Sequence, residues 1–384
     1  MPQPPKRSST LILLMTLVLV LSLPQVTAGE DKSAEISLSQ LEKAYNLIQE
    51  NYVKPESISK KELIMGAIEG MLEKLPDPHD ELYTEEGYRK HFRKVVRGNY
   101  VGVGVILGDK GKHISVMETF PYNSASQKGV KPRDTILKID GESTADMSYR
   151  EAGDALRGKQ GEEVKLKIRH LDGEKEEITL RKIPVQIPAV EHELLLGGKI
   201  GLIDVNYYRE DVEWRVDAAI SDLENDDLQG FILDLRNNGG GLLPPAIGVA
   251  SRFVDSGLIQ KFNKREEEKK YTSEGNATPN LPLVVLINDR TASASELIAA
   301  AIRYHDMGVL AGRRSYGKQY GQNFFQLDGN LYLRLSTMDG FVPEIPEAGL
   351  KPDLKSPDYW KDVEIAAEWI KKHAGEKTPL KWNK

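Results

Sequence analysis

Leu281-Pro-Leu-Val-Val-Leu-Ile-Asn288-Asp-Arg-Thr291-Ala-Ser293-Ala-Ser-Glu296 passes from an apolar strand (281–288) through a short polar turn into an alanine-rich helix. Gly317-Lys318 and Gln322 follow among aromatic and apolar residues. A serine at a strand-to-helix turn, with a lysine downstream, suggests nucleophilic catalysis with an amine as base. The neighbouring sequence repeats the strand–helix alternation. Strands are expected at 199–205, 231–235 and 283–287 and from Val309, with helices at 212–223 and 294–304. Pro244-Pro245 suits the first turn of another helix, ending near Phe253. This alternation argues for a largely parallel α/β core. A late strand is expected at 331–335 and a closing amphipathic helix at 359–373. The mixed charges at 264–270 read as a solvated loop or strand edge.

Outside this core the periodicity changes. Leu38, Leu41, Tyr45, Ile48 and Tyr52 have helical spacing, and Ser59-x-x-Glu62 opens a second helix carrying Leu63, Ala67, Met71 and Leu75. These helices pack within the chain or on a second copy. Residues 98–181 instead alternate in short strands, with turns at Asp140-Gly141 and Asp172-Gly173 and a helix capped by Ser148-x-x-Glu151. They form a compact α+β module. In front of everything, Lys6 and Arg7 precede a mostly apolar run (11–23) and Val26-Thr27-Ala28, the pattern of a secretory signal cut after Ala28. An uncleaved anchor is the weaker reading, because the run falls short of the roughly 20 residues a span requires.

A chain of 384 residues, 40% hydrophobic and 29% charged, has room for two or three domains. The net charge of −6 has no basic block, which argues against nucleic acid as a partner. The absence of cysteine rules out a thiol nucleophile, disulfides and thiolate metal sites.

A lone serine before a helix is most often a cap, so Ser293 needs a base and an oxyanion hole. The helix N-terminus supplies N–H groups and a positive dipole end. His305 lies about 18 Å along the same helix at ~1.5 Å per residue, which disfavours it as the base. Lys318 fits better if burial holds its amine well below the ordinary ~10.4. Gly312-x-x-x-x-Gly317-Lys318 comes close to a phosphate-binding loop. However, Gln319 stands where a Mg²⁺-binding hydroxyl is needed, and an extended segment follows instead of a helix. The Gly239-Gly240-Gly241 run lacks dinucleotide-binding spacing. It can bring backbone N–H groups close to a substrate carbonyl.

Two resemblances follow from these motifs. Tyr100-Val-Gly102-Val-Gly104, with Gly129-Val-Lys-Pro-Arg133-Asp134 and Asp140-Gly141, resembles a PDZ domain of the bacterial, protease-associated kind. On the residues alone, Gly102 and Gly104 either let N–H groups converge on a carboxylate or simply curve the strand. The module-wide match favours peptide binding at Gly102, Val103 and Gly104. Behind it, Asp234-Leu-Arg236-Asn-Asn-Gly-Gly240-Gly241, Thr291-Ala-Ser293-Ala-Ser-Glu296, Gly317-Lys318-x-x-x-Gln322 and Gly349-Leu-Lys-Pro352-Asp353 occur in order. Together they resemble the C-terminal processing, or tail-specific, peptidases.

That resemblance implies an α/β crotonase-like protease core (184–358) with an inserted PDZ-like α+β module (95–183). A signal peptide (1–28), an N-terminal helical region (29–94) and a C-terminal helix and tail (359–384) complete the expected division. It implies Ser293 as nucleophile, Lys318 as general base and Gln322 as the residue orienting the lysine. Gly240 and Ala294 would supply the oxyanion hole, and no metal or organic cofactor is called for. The expected protein is an exported, preferably periplasmic, serine endopeptidase cutting proteins near accessible apolar C-termini, with an activator and homodimerisation through the N-terminal helices as further expectations. Three departures stand out: Gly239 for a usual proline, Gln319 for a usual glycine, and Val342-Pro343-Glu-Ile-Pro346 for a glycine–arginine-rich segment. The alternatives are a catalytically silent binding protein and a PDZ adaptor on the same fold.

Overall fold

The computed structural model describes residues 37–89, 91, 99–110, 113–274, 281–328 and 330–376; the signal segment expected at 1–28 lies outside them. Contacts divide the chain into a unit ending at Ile64 and a second beginning at Met65. In the first, the helix Leu38–Asn51 buries none of its residues, and Leu38, Leu41, Leu47 and Ile48 stay exposed. Ser59 Oγ accepts the Glu62 N–H (3.3 Å) at the start of the helix Lys60–Leu72.

The centre of the second unit is a six-stranded sheet in the order Val190–Leu195, Ile200–Val205, Gly230–Asp234, Leu283–Ile287, Val309–Gly312, Leu354–Lys355. Every neighbouring pair is parallel except the first, an antiparallel edge that the strand–helix pattern did not reveal. Side chains alternate along each strand. Leu233, Val285 and Ile287 therefore pack with the helices Val212–Leu223, Leu243–Ser251 and Ala294–Tyr304. Ile232, Val284 and Leu286 pack instead with Ala366, Trp369 and Ile370 of the closing helix Asp362–Lys372. Both faces are covered, which is why these strands read as unbroken apolar runs.

A second sheet joins Glu81–Thr84, Gly321–Leu327 and Leu331–Val342 to the hairpin Ser256–Lys264 and Glu267–Glu274. The charge run at 264–270 is the hairpin's turn and return strand, where Glu268 pairs with Lys261 and Lys270. Charges paired across a two-stranded ribbon hide its apolar period, so the sequence reading missed most of it.

The PDZ-like module is an antiparallel sheet of Val105–Lys110, His113–Thr119, Thr135–Ile139, Glu163–Arg169 and Lys175–Arg181, with its own apolar core. The capping pair is formed: Ser148 N–H donates to Glu151 Oε2 (2.8 Å), and Glu151 N–H donates to Ser148 Oγ (3.3 Å). The entering strand Asn99–Gly102 pairs with the leaving strand Ile183–Gln186, so the module is an insertion. No helix among the described residues is long and apolar enough to cross a membrane.

Candidate active site

Ser293 sits on a turn that is bonded to the neighbouring strand end. Thr291 Oγ1 donates to Leu235 O (2.8 Å) and accepts the Asn288 N–H (2.9 Å). Asn237 and Asn288 exchange bonds of 3.0 Å each, Asn237 N–H to Asn288 Oδ1 and Asn288 Nδ2 to Asn237 Oδ1. Asn238 O accepts the Ala292 N–H (3.1 Å) and the Ser295 hydroxyl (2.9 Å). The segments 234–241 and 288–296 thus form one hydrogen-bonded body. Behind it, buried Arg236 holds Asp234 and Asp362 and lies 3.9 Å over the Tyr359 ring.

The backbone at Ser293 (φ 57°, ψ −121°) is one that residues with a Cβ adopt only when their surroundings force it. Its side chain makes no capping bond. Glu296 serves the helix start instead: fully buried, its Oε2 accepts the Ser293 N–H (2.9 Å). The same carboxylate accepts Lys318 N–H (3.0 Å), Gly317 N–H (2.7 Å) and the Ser315 hydroxyl (2.6 Å). Burial raises the Glu296 carboxyl above its ordinary range, against the pull of those bonds. One buried carboxylate therefore ties the serine turn to the lysine loop. Sequence reasoning gave Glu296 no role, although Ser293-x-x-Glu296 is itself a capping pattern.

Burial lowers the Lys318 amine below its ordinary range, and the Arg334 guanidinium adds to this; Asp77 and Glu296 oppose it. Among the described residues, no hydrogen bond joins Lys318 to the Ser293 hydroxyl or to Gln322. Gln322 Nε2 donates to Asp77 Oδ2 (2.7 Å), Tyr320 O (3.2 Å) and Ser336 Oγ (3.3 Å). Asp77 also takes bonds from the Ser336 hydroxyl and the His79 N–H. Burial pushes its carboxyl up, but these bonds outweigh it and bring it to about 2. Gln322 thus bonds an anion whose charge acts on the lysine. Asp77, Ser336 and Arg334 were also missed. The only local signal was an aspartate held between two prolines, Pro76-Asp77-Pro78.

Gly240 lies against the Ser293 turn. A Cβ there would stand 3.0 Å from Ser293 Cβ and from Ala292 O, at a φ of +101° that already favours glycine. Its N–H donates to Asn238 Oδ1 (2.9 Å), so service as an oxyanion donor requires that bond to give way. Ala294 N–H, the first of its helix, has no partner among the described residues. A Cβ on exposed Gly239 would meet nothing within 4 Å. The other two departures are bonded together, Gln319 Nε2 donating to Ile345 O (2.6 Å).

In the PDZ-like module, Gly102 is held in the strand ladder opposite Ile183, while Gly104 turns at φ +84° against Asn123. Of the two residues that follow Gly102, Val103 turns its N–H toward Leu156 O across the bridge between Gly102 and Arg157, and Gly104 leaves its N–H without a partner among the described residues. They open on a cavity of about 380 Å³ between the strand Val105–Lys110 and the helix Tyr149–Ala155. Core residues Tyr207, Asn237 and Arg290 close its rim, and the Arg290 guanidinium lies 3.7 Å over the Tyr149 ring. A second contact joins the modules. Arg133, at φ 77°, sits 5.0 Å over the Trp360 ring.

One carboxylate group among the described residues could hold a cation: Glu118 of the module with Glu191 and Asp204 of the core, each offering an oxygen within 4.8 Å of the others. Burial raises all three carboxyls, Glu118 to about 7. Proton uptake is thus one way the cluster limits its own charge.

Comparison with known proteins accords with this arrangement. Residues 199–356 match Peptidase family S41, residues 91–169 the PDZ domain, and residues 21–86 the "Activating protease CtpB N-terminal domain". A "Probable CtpA-like serine protease" of Staphylococcus aureus (strain bovine RF122 / ET3-1) is 28% identical over 354 residues, covering 90% of this chain and 70% of that one. Its counterpart in Staphylococcus haemolyticus (strain JCSC1435) has the same identity and coverage. Among solved structures, the photosystem II D1 C-terminal processing protease superimposes with a TM-score of 0.58 at 24% identity, covering 87% of this chain and 98% of that one. An S41 protease from Bacteroides fragilis NCTC 9343 gives 0.54 at 14%, covering 85% and 96%. These two structural likenesses concern the fold.

Proposed function

We propose that this chain, a serine peptidase of the C-terminal processing family, works through Ser293 as nucleophile and Lys318 as general base on protein tails held by its PDZ domain. The observation that carries the reading is Glu296, whose buried carboxylate gathers the N–H groups of Ser293, Gly317 and Lys318. Neutral Lys318 takes the Ser293 proton as Oγ attacks the scissile carbonyl. Ala294 N–H, and Gly240 N–H once released by Asn238, receive the oxyanion. Lys318 then protonates the leaving amine, and water releases the acyl group. Gln322 and Ser336 position Asp77, whose charge balances that of Arg334 around the amine. The free N–H group of Gly104, beside a largely apolar cavity, supports capture of an apolar C-terminus.

Export to the periplasm rests on the leader-like segment at 1–28. A homodimer through the N-terminal helix draws support from exposed Leu38, Leu41, Leu47 and Ile48. An activator is a natural complement to an oxyanion donor held by Asn238.

The test is cleavage of an unstructured protein with an apolar C-terminus. Ser293→Ala and Lys318→Ala are each expected to lower kcat/KM by about 10³-fold or more. Cleavage undiminished in either variant would sink the dyad. Tail binding without turnover by the unmodified chain would favour the silent binder.

A further inference from the structure

The tail-binding cavity changes chemical character along its length. At the Gly102 end, Arg157 bridges to Gly102, and Val103, Phe120 and Leu156 are apolar and buried. Arg157 is already paired there with Asp154 (3.0 Å). The opposite end, where the helix Tyr149–Ala155 begins, carries Arg150 and, from the core, Arg290. Both guanidinium groups face the Tyr149 ring, at 6.0 and 3.7 Å.

Neither Arg150 nor Arg290 makes a salt bridge among the described residues. None of the carboxylates around them closes an ion pair with either arginine. Glu151 accepts from Ser148, Asp154 pairs with Arg157, and Asp289 acts on Arg150 through its field without an ion pair. This end therefore presents two guanidinium groups without an ion pair to a partly enclosed cavity.

We infer that the groove selects tails in which an acidic side chain lies about three residues before an apolar terminal residue, with Arg150 and Arg290 receiving that acid. The spacing follows from geometry. The seven-residue helix is about 10 Å long at ~1.5 Å per residue, which an extended peptide covers in about three residues at ~3.3 Å each. Arg290, stacked on the Tyr149 face, keeps its edge N–H groups free to donate to a carboxylate, and exposed Arg150 is held beside it by the Tyr149 side chain. Arg290 stands three positions before Ser293, so a tail read at this end continues upstream toward the core loops that carry the nucleophile.

The inference rests on tail capture by the PDZ domain, and the experiment separates the two. Ser293→Ala full-length chain is titrated into fluorescein-labelled unstructured peptides ending in leucine. These carry Glu, Gln or Lys three residues before the end and a free or amidated C-terminus. The Glu peptide is expected to bind about three- to tenfold tighter than the Lys peptide at low ionic strength, with the gap narrowing in high salt. The gap should close in the Arg150→Gln/Arg290→Gln double variant. It should reverse for exposed Arg150→Glu, a swap that a merely structural role would not produce. Equal binding of the three free-acid peptides, or a gap that survives the double variant, overturns the acid selection. In that event, a loss of binding on amidation leaves tail capture standing. Indifference to amidation, or no binding by any peptide, overturns both.

Discussion

At the scale of single residues, the structure separates two serines that the sequence places side by side. Ser295 donates its hydroxyl to Asn238 O, whereas Ser293 makes no capping bond and holds a backbone that its neighbours must impose. The lysine is set by what surrounds it. Burial and the Arg334 guanidinium both disfavour its charged form. A general base works unprotonated, so kcat/KM should rise with pH along a limb whose pKa lies below the ordinary lysine value of ~10.4. Arg334→Gln, by removing a like charge, should move that limb upward. A pH–rate profile checks both, and a limb found only near ~10 in the unmodified chain would refute the buried amine. Ser293, Lys318 and Gly240 were legible because they lie in short ordered motifs. Asp77, Arg334 and Ser336 were not, because they reach Lys318 only when two strands and a loop distant in sequence fold together.

At the scale of elements, the strand-to-helix turn and the glycine loop are two halves of one device, laced together through Asn237, Asn238 and Asn288. Gly239 is the loose point in it. It is exposed, its φ is not positive, its N–H has no partner among the described residues, and a Cβ there meets open space. Gly239→Pro should therefore stabilise the chain by about 0.4–1 kcal/mol through the unfolded state, read as a rise of about 1–3 °C in Tm. A fall in Tm would mean that the loop needs glycine's freedom. The four inner core strands were found almost to the residue, because burial on both faces makes them continuous apolar runs, whereas the edge strands Val190–Leu195 and Leu354–Lys355 were not. The hairpin Ser256–Lys264 and Glu267–Glu274 was missed for the converse reason, since its ion pairs, Lys261 with Glu268 across the strands and Glu268 with Lys270 along one, look like a solvated loop in one dimension.

At the scale of the whole molecule, the PDZ-like module meets the core, among the described residues, through attractive contacts and a repulsive cluster. Arg290 on Tyr149 and Arg133 on Trp360 attract; Glu118, Glu191 and Asp204 repel when charged. Burial raises the Glu118 carboxyl to about 7, above its ordinary 4.5. Its contribution to stability is therefore full below about 4.5 and is lost as pH rises through about 7, where the folded chain must surrender a proton it prefers to keep. Asp77 has the opposite sign but acts only at far lower pH, between about 4 and 2. Urea unfolding at pH 5 and pH 8 should show greater stability at pH 5, and Glu118→Gln should flatten the difference. An unchanged slope in the variant would assign it to other groups. The sequence by itself determined the parallel α/β core, the inserted module and the order of the glycine, serine and lysine motifs, because apolar period, turn chemistry and short-range spacing are local properties. Only the tertiary structure decided that Glu296 joins serine to lysine, that Gln322 bonds Asp77, and that Arg290 of the core closes the rim of the inserted module's cavity. Those facts depend on which distant residues share a buried space, and burial is what sets both their hydrogen bonds and their charge.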